Sequence, residues 1–344
     1  MSRTSTVITE RTQYLNLEQV DAVCAHVAAR VLIGNSELIS VLRRELIAVS
    51  ANGLRASALG QGLFGAHAPR PGLVLLAGPG ATGKTFFAEL VARAVYGERF
   101  TEHLVEVNCR GYLAGRFSPL PLQKMQSGPL TIVSLDSVEV LPQVPPIAAL
   151  WQDAIRTGRA SLPATSGMQA PTVADLSFGR CLIVAMANVG REQVSHVGFR
   201  PVDAQTLGID AAQQIIREAL RDLFGDQLTD TFSPEHWIVL PPMERSGMRR
   251  LVELDLSAIR DMLPSGSPPV EISDSAAERL IHVALDSPNA NKTAALVDLL
   301  RAAVEPAVNE ALLQASAPVP LRVEVTLENG EIQTLVSQML VSRP

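Results

Sequence analysis

The chain has 344 residues, of which 47% are hydrophobic, and a formal net charge of −6. That length and apolar content predict one large domain plus a smaller one and exclude low-complexity disorder. The acidic balance argues against nonspecific nucleic-acid binding, which draws on a basic surface. Three widely spaced cysteines, Cys24, Cys109 and Cys181, lack the close Cys/His spacing of a metal site and read as small buried residues of a reducing compartment. No apolar run approaches the roughly 20 residues of a transmembrane helix. The start, "MSRTSTVITERTQ", has no apolar segment of the signal-peptide kind, so a cytoplasmic protein with no membrane partner is expected.

In chain order, residues 1–15 read as a loose polar arm. The stretch from "LEQVDAVC" to "SANGL" has apolar residues at spacings of three and four, which predicts two helices broken at Gly34-Asn35. "GLVLLAG" (72–78) is wholly apolar, the pattern of a buried parallel strand. "KTFFAELVARAVYG" follows as a helix closed by Gly97. "HLVEVN" (103–108), "LTIVSLD" (130–136) and "CLIVAMAN" (181–188) are further strands, and "IAALWQDAIRTG" (147–158) and "IDAAQQIIREALRDLFG" (209–225) are helices. "WIVLPPM" (237–243) is a strand stopped by its prolines. This alternation predicts a parallel α/β sheet over residues 16–244. Beyond that point come three helices and "LRVEVTLENGEIQTLVSQ", a hairpin turning on Asn329-Gly330, so a second, mostly helical domain is expected over 245–344.

The strongest chemical signal is "GPGATGKT" (78–85). It fits G-x-x-x-x-G-K-[ST] and lies between a predicted buried strand and a predicted helix, the context such a phosphate loop requires. Gly78, Gly80 and Gly83 let backbone N–H groups turn towards phosphate oxygens. Lys84 brings a point charge, and Thr85 a hydroxyl for Mg²⁺. Pro79, Ala81, Thr82 and Phe86 complete the candidate ATP cradle, whose helix directs its positive end at the anion. Lys84 is one of only three lysines, with Lys124 and Lys292. Asp136 ends a buried strand some fifty residues later, where a Mg²⁺-organising carboxylate belongs.

These segments resemble the AAA+ ATPases, and within them the second ATPase ring of the ClpB/ClpA-type chaperone-unfoldases. "ARVLIGNSELI" looks like the family's adenine-wrapping segment, which implicates Val31, Leu32 and Ile33. "GPGATGKTFFAELVARAVYG" matches the phosphate loop and its helix, and "VNCRGYL" the strand end that follows. "MANVG" matches the strand that carries the sensor 1 residue, here Asn188. "LPPMERSGMRRLVELDLSAI" and "SDSAAERLIHVALD" match the start of the family's small lid. The resemblance spans residues 17–335. It implies a three-layer αβα sandwich with a helical C-terminal lid, ATP with Mg²⁺ bound between them, and assembly into a homo- or hetero-oligomeric ring. A single module is expected, without a first ring, amino-terminal domain or middle coiled coil.

Four departures from the family pattern bear on function. Ser137 follows Asp136 where the family has a glutamate that takes a proton from the attacking water. A neutral serine is no such base, and loss of a general base typically costs about 10²–10⁴ in rate. Glu139 is nearby as a substitute, at a spacing that matches a different acidic position. The stretch "FGDQLTDTFSPEHWIVLPPM" contains no arginine or lysine where the family carries its arginine finger, leaving Arg217 or Arg221 as replacements. In the lid, "NANKTAAL" lacks the arginine that reaches the γ-phosphate, and Lys292 is the candidate sensor 2. The interval before the Asp-bearing strand, "AGRFSPLPLQKMQSGP", is too short for the family's substrate-gripping insertion, and Tyr112 of "GYLAG" reads as a packing residue. Three functions follow: a slow or partner-completed ATPase, a nucleotide-binding pseudoenzyme that gates assembly, or an ordinary unfoldase, against which the short pore region counts.

Overall fold

The structure is a computed structural model. It describes residues 14–31, 36–59, 69–79, 82–116, 130–161, 175–189, 196–197, 200–201, 209–240, 245–286, 292–314 and 320–338. The predicted arm and the Gly34-Asn35 break lie almost wholly outside these residues. The chain divides into two compact units, Met1–Pro242 and Met243–Pro344.

In the first unit, helix α1 (Leu17–Arg30) opens with a capping box, in which Asn16 and Gln19 satisfy each other's backbone N–H groups. Helix α2 (Ser36–Leu59) leads to strand β1 (Gly72–Gly78), buried at all seven residues. Helix α3 (Lys84–Tyr96) follows, then β2 (Leu104–Asn108), β3 (Thr131–Asp136) and helix α4 (Pro145–Thr157). Gly158, with φ of 71°, ends α4 in the left-handed conformation that a side chain resists. A short antiparallel ribbon, β4 (Arg159–Ser161) with β5 (Asp175–Ser177), leads to β6 (Cys181–Asn188). A second ribbon pairs β7 (His196–Val197) with β8 (Arg200–Pro201), and helix α5 (Ile209–Thr231) and strand β9 (Trp237–Val239) close the unit.

The main sheet has the order β2-β3-β6-β1-β9, and every pairing is parallel. Because side chains alternate along a strand, a sheet covered on both faces needs apolar residues at every position, which is what the continuous apolar runs encode. Leu73, Leu75, Val133, Leu135 and Ile183 face a core completed by Trp151 of α4 and by Ile216, Leu220 and Phe224 of α5. Val74, Leu76, Ile132, Leu182 and Val184 face the opposite core, built with Val23 of α1, Leu42 and Leu46 of α2 and Val91 of α3. Each such buried aliphatic side chain contributes roughly 1.5–3 kcal/mol. The result is the expected αβα sandwich. Helix α5 runs six residues beyond its predicted end, with Gly225 (φ 59°, ψ −175°) as a break inside it.

In the second unit, helices α6 (Arg245–Met262), α7 (Asp274–Asp286) and α8 (Lys292–Gln314) pack with a three-stranded sheet of order β10-β11-β12. Its strands are β10 (Glu271–Ile272), β11 (Leu321–Glu328) and β12 (Glu331–Gln338). Asn329 and Gly330 both have positive φ, 51° and 83°, the two-residue turn that matches the twist of an antiparallel hairpin. Val252, Leu256, Ile281, Leu296, Leu300, Val304 and Val323 form the core of this unit.

Candidate functional site

Strand β1 lies between β6 and β9, while the chain after β1 continues into β2 at the far edge of the sheet. Strand order reverses there, and in open parallel sheets ligands bind outside the carboxyl ends of strands at such a point. The sequence-predicted groups come together there. Gly78 is in register with Asn188, and Asp136 lies beside Met186 at the end of β3. The Val189 N–H donates to the Gly78 carbonyl at 3.2 Å. Gly78 is required by close approach, since a Cβ there would sit 2.2 Å from the Leu240 carbonyl oxygen. Gly83 caps α3 with φ of 85°, so the loop turns in a left-handed conformation into the helix.

Lys84 is buried, only 5% exposed. Its ammonium donates to the carbonyls of Gly78 at 3.0 Å and Pro79 at 2.6 Å and lies 3.4 Å from the Thr82 hydroxyl. That hydroxyl donates to the Pro79 carbonyl at 3.1 Å. Burial pulls the Lys84 pKa down to about 8, against the opposing pull of the Glu139 and Asp136 carboxylates. Thr85 and Phe86 are exposed on the first turn of α3. Gly80 and Ala81 lie outside the described residues, as do Leu32 and Ile33. Val31 ends α1 and packs against the core beneath β1. Lys292 is the first residue of α8, and its side chain is outside the described set.

At the end of β3 the Asp136 carbonyl accepts from the Cys109 N–H at 2.9 Å, and the side chain of Asp136 is half-buried. Ser137 is buried in a left-handed conformation, φ 62° and ψ 46°. The Asn188 side-chain amide donates to the Ser137 hydroxyl at 3.4 Å. Glu139, in the 3-10 turn Val138–Gln143, has both oxygens engaged. One accepts from the Asn188 backbone N–H at 3.0 Å, the other from the Arg110 guanidinium at 3.1 Å. Sequence reasoning missed Arg110. It stands inside the "VNCRGYL" stretch, and nothing in its spacing links it to Glu139, 29 residues away.

Chemically, the arrangement offers a lysine cation and a helix N-terminus for an anion. A hydroxyl and a carboxylate are available for a divalent cation. Among the described residues there is no group of three or more His, Cys, Asp or Glu that could hold a metal ion. One hydroxyl, from Thr85, and one carboxylate, from Asp136, is the kind of sparse oxygen donor set that Mg²⁺ takes from protein when water and phosphate oxygens supply its other ligands. Tyr112 packs against the core of the first unit. Arg221 is exposed on α5 and Arg217 is half-buried there. Cys24, Cys109 and Cys181 are buried and free, and burial raises all three thiol pKa values. No helix among the described residues is long and apolar enough to cross a membrane.

No family model matches the sequence, and no curated protein matches it either. Solved structures do match. The Hsp104–ADP complex of S. cerevisiae is similar over 92% of this chain and 52% of that one, with a TM-score of 0.61 and 16% identity. A closed-state cryo-EM reconstruction of Hsp104 with ATPγS and FITC-casein is similar over 93% and 51%, with a TM-score of 0.53 and 16% identity. The chain spans about half the length of these neighbours. At this identity the likeness establishes the fold alone: a parallel-sheet αβα sandwich followed by a mostly helical second unit, as found in the Hsp104 structures.

Proposed function

We propose that this chain is a Clp-like AAA+ module that binds ATP with Mg²⁺ and uses the nucleotide to fix a conformation or a subunit interface. Hydrolysis is weak, completed by a partner, or absent. One observation carries this reading. Lys84, Asp136 and Asn188 converge at the carboxyl ends of β1, β3 and β6, yet the residue after Asp136 is a buried serine tied to Asn188. Groups that hold a nucleotide are retained, while the group that would take a proton from water is replaced by one that stays neutral. Glu139, with both oxygens engaged, is a strut in this reading rather than a base. The nucleotides named with the Hsp104 structures, ADP and ATPγS, support the choice of ligand class.

The phosphate loop from Gly78 to Thr85 would cradle the phosphates. Thr85 and Asp136 would hold the Mg²⁺, which, when bound, neutralises phosphate charge. Lys84 supplies the fixed cation, and Leu32 and Ile33 the adenine wall. Lys292 is the candidate γ-phosphate group of the second unit. Ring-type homo- or hetero-oligomerisation and a cytoplasmic location complete the proposal. The second reading is an active ATP-hydrolysing Clp-like chaperone or unfoldase ATPase, favoured by the retention of Lys84, Asp136 and Asn188 together.

ATP binding and turnover by the purified chain, alone and as Lys84→Ala, separate the two. We expect binding that Lys84→Ala abolishes, with no turnover above background. Efficient unaided turnover that disappears in Lys84→Ala would establish the second reading, slow turnover that disappears would keep the first as a weak ATPase, and the absence of any binding would remove both. Negative-stain images with and without nucleotide test the ring.

A further inference from the structure

Strand β3 ends at Asp136, opposite Met186, whereas β6 runs two residues further to Asn188. The left-handed Ser137 turns the chain away at that point, so the Asn188 N–H on this side of β6 has no β3 carbonyl to meet. A fully buried N–H left without an acceptor costs about 1–3 kcal/mol, and this one is part-buried, so its partner matters. The partner is the Glu139 carboxylate, at 3.0 Å, which continues the ladder after the strand has left it. The other oxygen of Glu139 is held at 3.1 Å by Arg110, which comes from the turn after β2. One carboxylate thus ties together the ends of β2, β3 and β6. It grips Asn188 by its backbone while Ser137 engages the same residue's side chain.

We infer that Glu139 and Arg110 are a positioning pair that sets Asn188 at the nucleotide site. Glu139 fixes the backbone at the strand end, and Arg110 fixes Glu139. The inference rests on the reading of this site as a nucleotide site and deepens it. The burial contrast supports a clamp rather than an incidental surface pair. The Glu139 side chain is 11% exposed and Arg110 61%, so the carboxylate depends on the guanidinium, which itself remains solvated. Charged hydrogen bonds of this kind are stronger than neutral ones, and a buried carboxylate that loses its cation is strongly penalised. Asn188 sits in register with Gly78, the first residue of the phosphate loop, so a shift of the β6 end is felt where the γ-phosphate of a triphosphate would be sensed.

The test uses the full chain as wild type, Glu139→Ala, Glu139→Gln, Arg110→Ala, Arg110→Lys and Lys84→Ala. Two quantities are read: the ratio of ATPγS to ADP affinity, and hydrogen exchange of the peptide containing Asn188 without nucleotide. We expect Glu139→Ala and Arg110→Ala to lower the ATPγS-over-ADP preference by about 5-fold or more. ADP affinity should stay within about 2-fold, as for groups that position rather than bind. The Asn188 amide should exchange faster in both variants. Arg110→Lys should recover part of the preference, and Glu139→Gln should keep amide protection through its carbonyl while losing part of the preference. Lys84→Ala should lose both nucleotides and leave the exchange unchanged. An unchanged affinity ratio and unchanged exchange in Glu139→Ala would overturn the inference, as would exchange that rises while the ratio stays constant. If the wild type binds neither nucleotide, the reading of the site as a nucleotide site fails. Exchange then decides the clamp alone: faster exchange in Arg110→Ala supports it, and unchanged exchange overturns it. If Glu139→Ala does not fold, Arg110→Ala and Glu139→Gln carry the same comparison.

Discussion

Ser137 holds φ of 62° while buried, a combination that a side-chain-bearing residue adopts at a cost of roughly 1–2 kcal/mol. The backbone conformation and burial at position 137 thus favour a small residue. Introducing a carboxylate by Ser137→Glu would add a third negative charge beside Glu139 and Asp136, at a buried position. We expect Ser137→Glu to lose roughly 2–4 kcal/mol in urea melts at neutral pH and to gain no ATP turnover. A stable variant that turns over ATP would show that a carboxylate at this position suffices for hydrolysis. Lys84 has a different balance, since its burial costs stability. Its pKa, lowered from 10.5 to about 8 chiefly by burial, means that below about pH 8 the fold carries a desolvated ammonium. Between about 8 and 10.5 the unfolded chain binds the proton that the folded chain releases, so stability of the parent rises with pH in that window. Lys84→Met should therefore be more stable than the parent at pH 7, by up to about 3 kcal/mol. That advantage should fade above pH 8 while nucleotide binding is lost throughout, and melts at pH 7 and pH 10 check it. The strand and helix that flank Gly78–Thr85 were legible in the sequence because each is contiguous. The Glu139–Asn188 bond spans 49 residues and the Glu139–Arg110 pair 29, and no local spacing encodes either.

Elements show the same division between local and nonlocal information. The boundaries of β1 and β6 coincide with those read from "GLVLLAG" and "CLIVAMAN", because a strand covered on both faces needs every residue apolar and so writes its own limits. The Asn329-Gly330 hairpin was equally plain, since its turn needs positive φ at both central residues. Strands β4, β5, β7, β8 and β10, two or three residues each, were not legible. So short a strand has no period, and only its partner defines it. Helix α5 lies between these cases. Gly225 was read as its end, and the glycine does leave helical geometry there, but the chain resumes a helical path to Thr231. A Cβ at Gly225 would meet nothing within 4 Å, so a substitution there tests backbone conformation without a packing term. At φ 59° and ψ −175° the conformation is almost confined to glycine, and we expect Gly225→Ala to cost about 1–3 kcal/mol in chemical denaturation. A loss under about 0.5 kcal/mol, the scatter of neutral surface changes, would mean that the break is not kept in solution.

At the scale of the whole molecule, the two units differ in what they can do alone. The second has its own core, in which Val252, Ile281, Leu296, Leu300 and Val304 are at most 1% exposed. It also has an internal tie from Arg301 to Asp255 at 2.9 Å and a three-stranded sheet of its own. Its span of Met243–Pro344 is close to the usual size of an autonomous domain, about 100 residues. We therefore expect a fragment of residues 243–344 to fold with a cooperative urea transition of its own, followed by far-UV circular dichroism. All of the phosphate-loop and strand-end groups belong to the first unit. Linkage then makes a directional statement: a ligand that binds only the folded state at 100 times its Kd adds about 2.7 kcal/mol to the transition of the unit it binds. Saturating Mg²⁺–ATP should raise the urea midpoint of a fragment of residues 1–242 and leave that of the 243–344 fragment unmoved. In the intact chain the comparison gains a second use. Stabilisation by ATP that exceeds its effect on the 1–242 fragment would measure what the second unit adds to binding, and Lys292→Ala should remove that excess if the lysine supplies it. Equal stabilisation in chain and fragment would assign nucleotide binding to the first unit alone and retire Lys292 as a sensor.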